Sequence, residues 1–181
     1  MKKLIFIFFF SVSLHLGAQG IYKSNEGEAS FFSETPMENI EAHNKSISSF
    51  LNTGSKEVVF VIPVRNFKFR KALMEEHFNE KYLESDKYPD ATFQGKINED
   101  VDFSKDGVYK VTATGKMKMH GVEKQITVPG TITVKGGKLS LQSEFNVTLT
   151  DYNITVPKLV IQNIAEVVAV KINAGYVPYK K

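Results

Sequence analysis

The sequence predicts an all-β antiparallel fold, a sandwich or an up-and-down barrel, carrying one short amphipathic helix. Three observations lead there. Apolar and polar residues alternate with period two over long stretches, the mark of strands with one buried face. Turn-forming pairs separate those stretches at regular spacing. One segment, residues 72–83, breaks the rule and repeats its apolar residues every four.

The clearest alternation is YKVTATGKMKMH, residues 109–120. Tyr109, Val111, Ala113, Gly115, Met117 and Met119 share one face, with Lys110, Thr112, Thr114, Lys116, Lys118 and His120 opposite. EKQITVPGTITV (123–134) groups Ile126, Val128, Gly130, Ile132 and Val134. KLSLQSEFNVTL (138–149) groups Leu139, Leu141, Phe145, Val147 and Leu149, and VVAVKINA (167–174) groups Val168, Val170, Ile172 and Ala174. KEVVFVIPV (56–64) is apolar on both faces, which predicts cover on both sides. Residues 22–33 and 37–50 supply two more candidates, the second built on Ile40, Ala42, Ile47 and Phe50. Turns are expected at Asp106-Gly107, His120-Gly121 and Lys135-Gly136-Gly137. The total is about eight strands, and a closed sheet of that size either fills its interior with side chains or holds one small ligand.

In the helical segment Met74, Phe78 and Tyr82 sit four apart, with Leu73 and His77 on the same stripe and Glu75, Glu76, Asn79 and Glu80 facing away. Tyr88-Pro89 then disfavours helix, and Ala91 to Ile97 resumes the strand period. A helix with one apolar face must lie on something apolar, either the outside of the sheet or the mouth of a barrel.

The first residues, MKKLIFIFFFSVSLHLGAQ, have a basic start, an apolar run from Leu4 to Leu16 and small residues at Gly17 and Ala18. That layout predicts a signal peptide over residues 1–18, a domain over 19–181 and a periplasmic or secreted product. The run is short for a bilayer span, so no integral membrane segment is expected after cleavage. With no cysteine, an exported chain must rely on its core. Loss of Lys2 and Lys3 lowers the basic count from 23 to 21 against 20 acidic residues, and so near-neutral a surface excludes nucleic acid as a partner.

Two stretches resemble a known family. Phe78 followed by Tyr88-Pro89-Asp90-Ala91-Thr92-Phe93 is similar to the Tyr-Pro-x-x-x-Phe run of the YceI-like proteins, and Thr114 through Lys124 is similar to their Gly-Val hairpin. Phe145 through Ile154 adds a third, and the likeness runs from roughly residue 57 to 174. Where the family often has an Arg-Asp pair before its helix, this chain has Phe69-Arg70-Lys71-Ala72. The resemblance implies an extended antiparallel eight-stranded lipocalin-like barrel with the short helix at its mouth. It also implies a tunnel for an isoprenoid or fatty-acyl chain.

Chemistry-bearing motifs are otherwise scarce. The histidines His15, His43, His77 and His120 are scattered, no nucleophile elbow or phosphate loop occurs, and neither a metal nor a cofactor is expected. Small residues on inward faces (Ala113, Gly115, Gly130, Ser143 and Ala174) leave room inside. A non-catalytic carrier would line its cavity with Phe60, Ile62, Phe67, Phe93, Val111, Ala113, Met117, Ile126, Val128, Leu141, Phe145, Val147, Val168 and Val170 from the strands. Leu73, Met74, Phe78 and Tyr82 would join them from the helix. A lipid-acting enzyme would instead need His77 or His120 to converge with Tyr82 or Tyr109. An interaction module would have a solid barrel and offer an edge strand, or an exposed Tyr176–Tyr179 tail, to a partner. Free edges could also pair two copies across a two-fold axis as a homodimer.

Overall fold

A computed structural model describes residues 20–34, 38–156 and 165–179. The expected leader, residues 1–18, lies outside the described residues. Ten strands follow one another: β1 (Ile21–Ser33), β2 (Ile40–Asn44), β3 (Ser48–Asn52), β4 (Glu57–Pro63), β5 (Lys68–Phe69), β6 (Asp90–Ile97), β7 (Gly107–Met119), β8 (Val122–Lys135), β9 (Lys138–Thr148) and β10 (Val167–Pro178). The pairings run β10-β9-β8-β7-β6-β4-β3-β1, and β1 pairs back onto β10, so the sheet closes. β2 and β3 share one place beside β1, pairing with its later and earlier parts, and β5 and β4 share the next. The barrel therefore has eight positions, two of them held by broken strands. Thirteen-residue β1 and β7 span about 43 Å each, which makes it an extended barrel.

Both strand breaks have local causes. Asn44 is buried, donates from Nδ2 to the Pro63 carbonyl at 2.8 Å and accepts from the Ser46 N–H at 2.8 Å. That loop shifts the inward parity from Ala42 and Asn44 to Ile47, Ser49 and Leu51. Phe50, expected inside, consequently faces out at 37% exposure. Residues 64–66 form a 3₁₀ turn after Pro63, and Phe67 and Phe69 both come out of it facing the interior. The expected cover on both sides of residues 56–64 does not form: Val58 and Phe60 are buried, while the outward Val59 is only half-buried beside Phe50.

The hairpin turns follow their residues. His120 and Gly121 take φ of 51° and 76°, and Gly136 and Gly137 take 55° and 75°, the left-handed pair that matches the twist of a two-residue hairpin. Gly121 is also packed: a Cβ there would meet the Tyr88 ring at 2.6 Å.

The lower half of the barrel is a solid core of Leu51, Val58, Ile97, Ile132, Val134, Leu139 and Tyr176, capped by Val101, Phe103 and Tyr109. Tyr176 is 3% exposed, so the expected exposed tail shrinks to its last residues, with Tyr179 edge-on to Phe50. At the other end lies α1 (Ala72–His77), which runs on into a π-helical turn over Phe78–Tyr82. The wider turn, closed by the Leu83 N–H on the Phe78 carbonyl at 2.9 Å, brings Phe78, Tyr82 and Leu83 onto the barrel together. Among the described residues no helix is long and apolar enough to cross a membrane.

Candidate functional site: a two-lobed apolar cavity

The upper half of the barrel is hollow. An upper lobe of about 460 Å³ lies beneath the helix, and a deep lobe of about 80 Å³ lies below it. The upper volume falls within the usual range of small-molecule sites. Ile62 of β4, Ala91 of β6, Met117 of β7 and Val170 of β10 line both lobes, forming a belt between them. Met117, unbranched and flexible, is the most adaptable member of that belt.

Aromatic rings build the roof. Phe78 stacks on Phe31 at 5.5 Å between centroids and meets Phe67 and Phe69 at 5.6 and 5.0 Å. Such pairs prefer these offset and tilted arrangements, and together they hold the helix onto the opening. Three polar ties fix the same segment from outside. Lys68 Nζ pairs with Glu75 Oε1 at 2.5 Å, Arg65 pairs with Asp86, and the His120 ring bonds Glu84. The Lys68 bond is the main cause holding the Glu75 carboxyl below its ordinary pKa, assisted by the Phe69 N–H.

Polar groups at the upper lobe are few and peripheral: Ser30, Ser33, the Glu38–Lys71 ion pair, His77 and Tyr82. Burial raises the pKa of the Tyr82 phenol, which keeps it neutral against the apolar wall. The Ser33 hydroxyl is already engaged by the Ala165 N–H at 2.9 Å. A lining this apolar suits a hydrocarbon body, with hydrogen-bonding capacity only at the rim.

This architecture has relatives. The sequence matches the YceI-like domain over residues 16–176. The chain belongs to the YceI-like family. The match reaches back through β1 to β3, which the motifs legible from residue 57 onward did not include. Among solved structures, BcnA of Burkholderia cenocepacia superposes with a TM-score of 0.70 at 18% identity, covering 82% of this chain and 95% of its own. A polyisoprenoid binding domain from Saccharophagus degradans, implicated in plant cell wall breakdown, gives 0.71 at 17% identity, covering 87% and 98%. The YceI protein of Campylobacter jejuni gives 0.63 at 18%, covering 82% and 90%. At such identities the likeness is one of fold. Comparison with the curated proteins gave no match.

In this YceI-like barrel the residues expected from the strand pattern fall as follows. Phe67, Leu73, Met74, Phe78, Tyr82, Val147 and Val168 line the upper lobe. Phe60, Phe93, Val111, Ala113, Val128, Leu141 and Phe145 line the deep lobe, and Ile62, Met117 and Val170 line both. Ile126 lines neither, because it lies on the stretch of β8 past the end of the β9 ladder. Leu73 lines the rim but stays 60% exposed. The pattern missed Ala29 and Phe31 of β1, Val64, Leu83 and Ile154, all on the upper wall, where Met119 and Leu149 join them from the faces the alternation marked as inward. β1 has too few apolar residues to alternate visibly, and Leu83 enters the stripe only because of the π-turn.

The groups of the enzyme reading come together only in part: His77 and Tyr82 both line the upper lobe, while His120 and Tyr109 line neither lobe. His77 is on the cavity wall, whereas His120 is held outside it, Nδ1 lying 3.0 Å from the Tyr152 carbonyl oxygen and Nε2 2.8 Å from Glu84 Oε2. The Tyr109 hydroxyl donates to the Asp102 and Lys105 carbonyls at the far end of β7, about 36 Å from His120 along the strand. Among the described residues no His, Cys, Asp and Glu cluster could hold a metal. The cavity is suited to holding a hydrophobic molecule.

Proposed function

We propose that the protein binds, and so carries or sequesters, a single long apolar molecule of the isoprenoid or fatty-acyl class. The route is export under residues 1–18 to the periplasm or beyond. The observation that carries this reading is the apolar cavity of about 460 Å³ roofed by the Phe31, Phe67, Phe69 and Phe78 cluster. The Saccharophagus relative, described as a polyisoprenoid binding domain, supports the same class.

Magnitudes agree with it. Burying ten to fifteen methylenes contributes about 8–12 kcal/mol gross at about 0.8 each. Lost ligand freedom removes several kcal/mol. The remainder corresponds to roughly micromolar or tighter affinity.

The test is native mass spectrometry of protein purified from its own host, followed by organic extraction and identification of the released molecule. A one-to-one adduct that extraction releases as a chain lipid is the expected result. A ligand-free preparation that, once extracted, takes up neither farnesol nor palmitate would overturn the reading.

A further inference from the structure

The barrel wall is incomplete on one side. The β8–β9 ladder starts at Lys135 opposite Lys138 and stops at Thr131 opposite Gln142, although β8 continues to Val122 and β9 to Thr148. β9 stays paired to β10 and β8 to β7 over those lengths, so of the edges of these two strands the one they share is the one that opens.

Pro129 explains the stop. The Ser143 Oγ donates to its carbonyl at 2.6 Å, so the Pro129 carbonyl points towards β9. In a strand the N–H and C=O of one residue point to the same neighbour, so the donor that β9 would need is the one proline lacks. A serine side chain thus replaces a backbone rung. Higher up, Lys124 Nζ of β8 pairs at 2.5 Å with Asp151, in the 3₁₀ turn that follows β9.

The seam lies over the deep lobe. Val128, Pro129, Gly130, Ser143 and Phe145 all line that lobe, yet Pro129 is exposed and the Ser143–Pro129 hydrogen bond is open to solvent. The cavity therefore reaches the surface at a second place, remote from the helix-roofed mouth, through one hydroxyl hydrogen bond. At about 30 Å³ for a group the size of a water molecule, the upper lobe has room for on the order of fifteen chain carbons and the deep lobe about three more.

We propose that the seam at Pro129 and Ser143 is a lateral opening through which the far end of a bound chain leaves the barrel. The ligand class is then linear chains longer than the roughly eighteen carbons the two lobes enclose. This rests on the chain-binding reading above. Nothing covalent is required. The Ser143 hydroxyl gives up its bond to the Pro129 carbonyl, and the chain passes the Met117 belt into the deep lobe and out beside Gly130. Glycine suits that place, since a Cβ there would stand 3.1 Å from the Gln142 carbonyl oxygen.

Saturated fatty acids of 14, 18 and 24 carbons, competed against a fluorescent fatty acid on the extracted full chain, test it. The 24-carbon acid is expected to bind within about threefold of the 18-carbon acid. Ser143→Leu, which fills the seam, should raise the ratio of the 24- to the 14-carbon dissociation constants by tenfold or more. A 24-carbon acid tenfold weaker than the 18-carbon acid on the unaltered protein, or an unchanged ratio in the folded variant, would overturn the proposal. A variant-free measurement stands beside this: a 24-carbon acid with a diazirine at its methyl end should label residues 127–131 and 142–145 on irradiation. Labels confined to residues 29–40 and 71–78 would show that the surplus chain hangs from the mouth and would sink the lateral opening. Failure of every chain to bind would instead overturn the chain-binding reading, and this one with it.

Discussion

The hydroxyl of Tyr176 and the Oγ of Ser49 lie 2.6 Å apart inside the barrel, joining β10 to β3 across the core. Both residues are buried, at 3% and 0% exposure. Burial pushes the Tyr176 phenol well above the ordinary tyrosine range, and the Ser49 hydrogen bond only partly opposes it.

This sets a pH dependence. The unfolded chain releases the Tyr176 proton near pH 10, whereas the folded chain keeps it to higher pH. Tyr176 therefore contributes its full stability below about pH 10 and progressively less above, because deprotonation favours the unfolded state. Tyr82 and Tyr152, both raised chiefly by burial, act in the same direction. Tyr176→Phe should lose less stability between pH 7 and pH 11 than the unaltered protein does. At pH 7 it should cost about 1–3 kcal/mol by leaving Ser49 Oγ buried without its partner. Adding Ser49→Ala should recover part of that loss. Urea melts at pH 7 and 11 measure both effects, and an equal fall in stability from pH 7 to 11 in the two proteins would refute the linkage.

The His120 ring, with one nitrogen against the Tyr152 carbonyl and the other against Glu84, ties the β7–β8 turn to the segment that follows the helix. Removing the ring should loosen that segment before the barrel. For His120→Ala we expect a stability loss of about 1–3 kcal/mol. Amide exchange should accelerate across residues 78–88, with the β9–β10 ladder protected as before. Equal acceleration in both regions would mean that the contact is simply part of the global core.

Gly115 of β7 faces Gly95 of β6 in register, and the backbones approach so closely that a Cβ on Gly115 would sit 2.3 Å from the Gln94 carbonyl oxygen. Backbone cannot swing aside as a side chain can. Gly115→Ala should therefore destabilise by about 3 kcal/mol through overpacking. A fall of less than about 0.5 kcal/mol in chemical denaturation, the range of an innocuous surface change, would contradict the packing.

The same glycine shows where sequence reading stops. Period-two alternation placed Gly115 inward and suggested spare room, but the strand parity could not reveal a second backbone filling it. Ala113, Gly130 and Ser143, read in the same way, do border the deep lobe, because their neighbours across the lumen are distant. Ala174 is instead buried in the solid lower core. The four-residue stripe of Met74, Phe78 and Tyr82 was legible since helical spacing survives into the π-turn. Phe50 was misplaced since the Asn44 loop inserts a parity change with no apolar signature. The seam was invisible for a related reason: Pro129 sits within a good alternating run, and only pairing shows which neighbour its missing N–H would have served.

Leu73 and Phe78 share one stripe but should respond differently to truncation. Phe78 contacts Phe31, Phe67 and Phe69, so Phe78→Ala strips the roof of three ring contacts and leaves a void beneath the helix. A fully buried Phe→Ala change costs about 3–5 kcal/mol, and for this half-buried ring about 2 kcal/mol is expected. Leu73 borders the upper lobe while remaining mostly in water, so Leu73→Ser should change stability by less than about 0.5 kcal/mol. Its effect should appear in binding. Losing one apolar contact at the rim should weaken a bound acyl chain by roughly three- to tenfold, about 1 kcal/mol. Parallel denaturation and fluorescent fatty-acid titration of the two variants would show this split. A Leu73→Ser protein with the affinity of the unaltered chain would mean that the ligand lies entirely below the rim, against the belt at Met117.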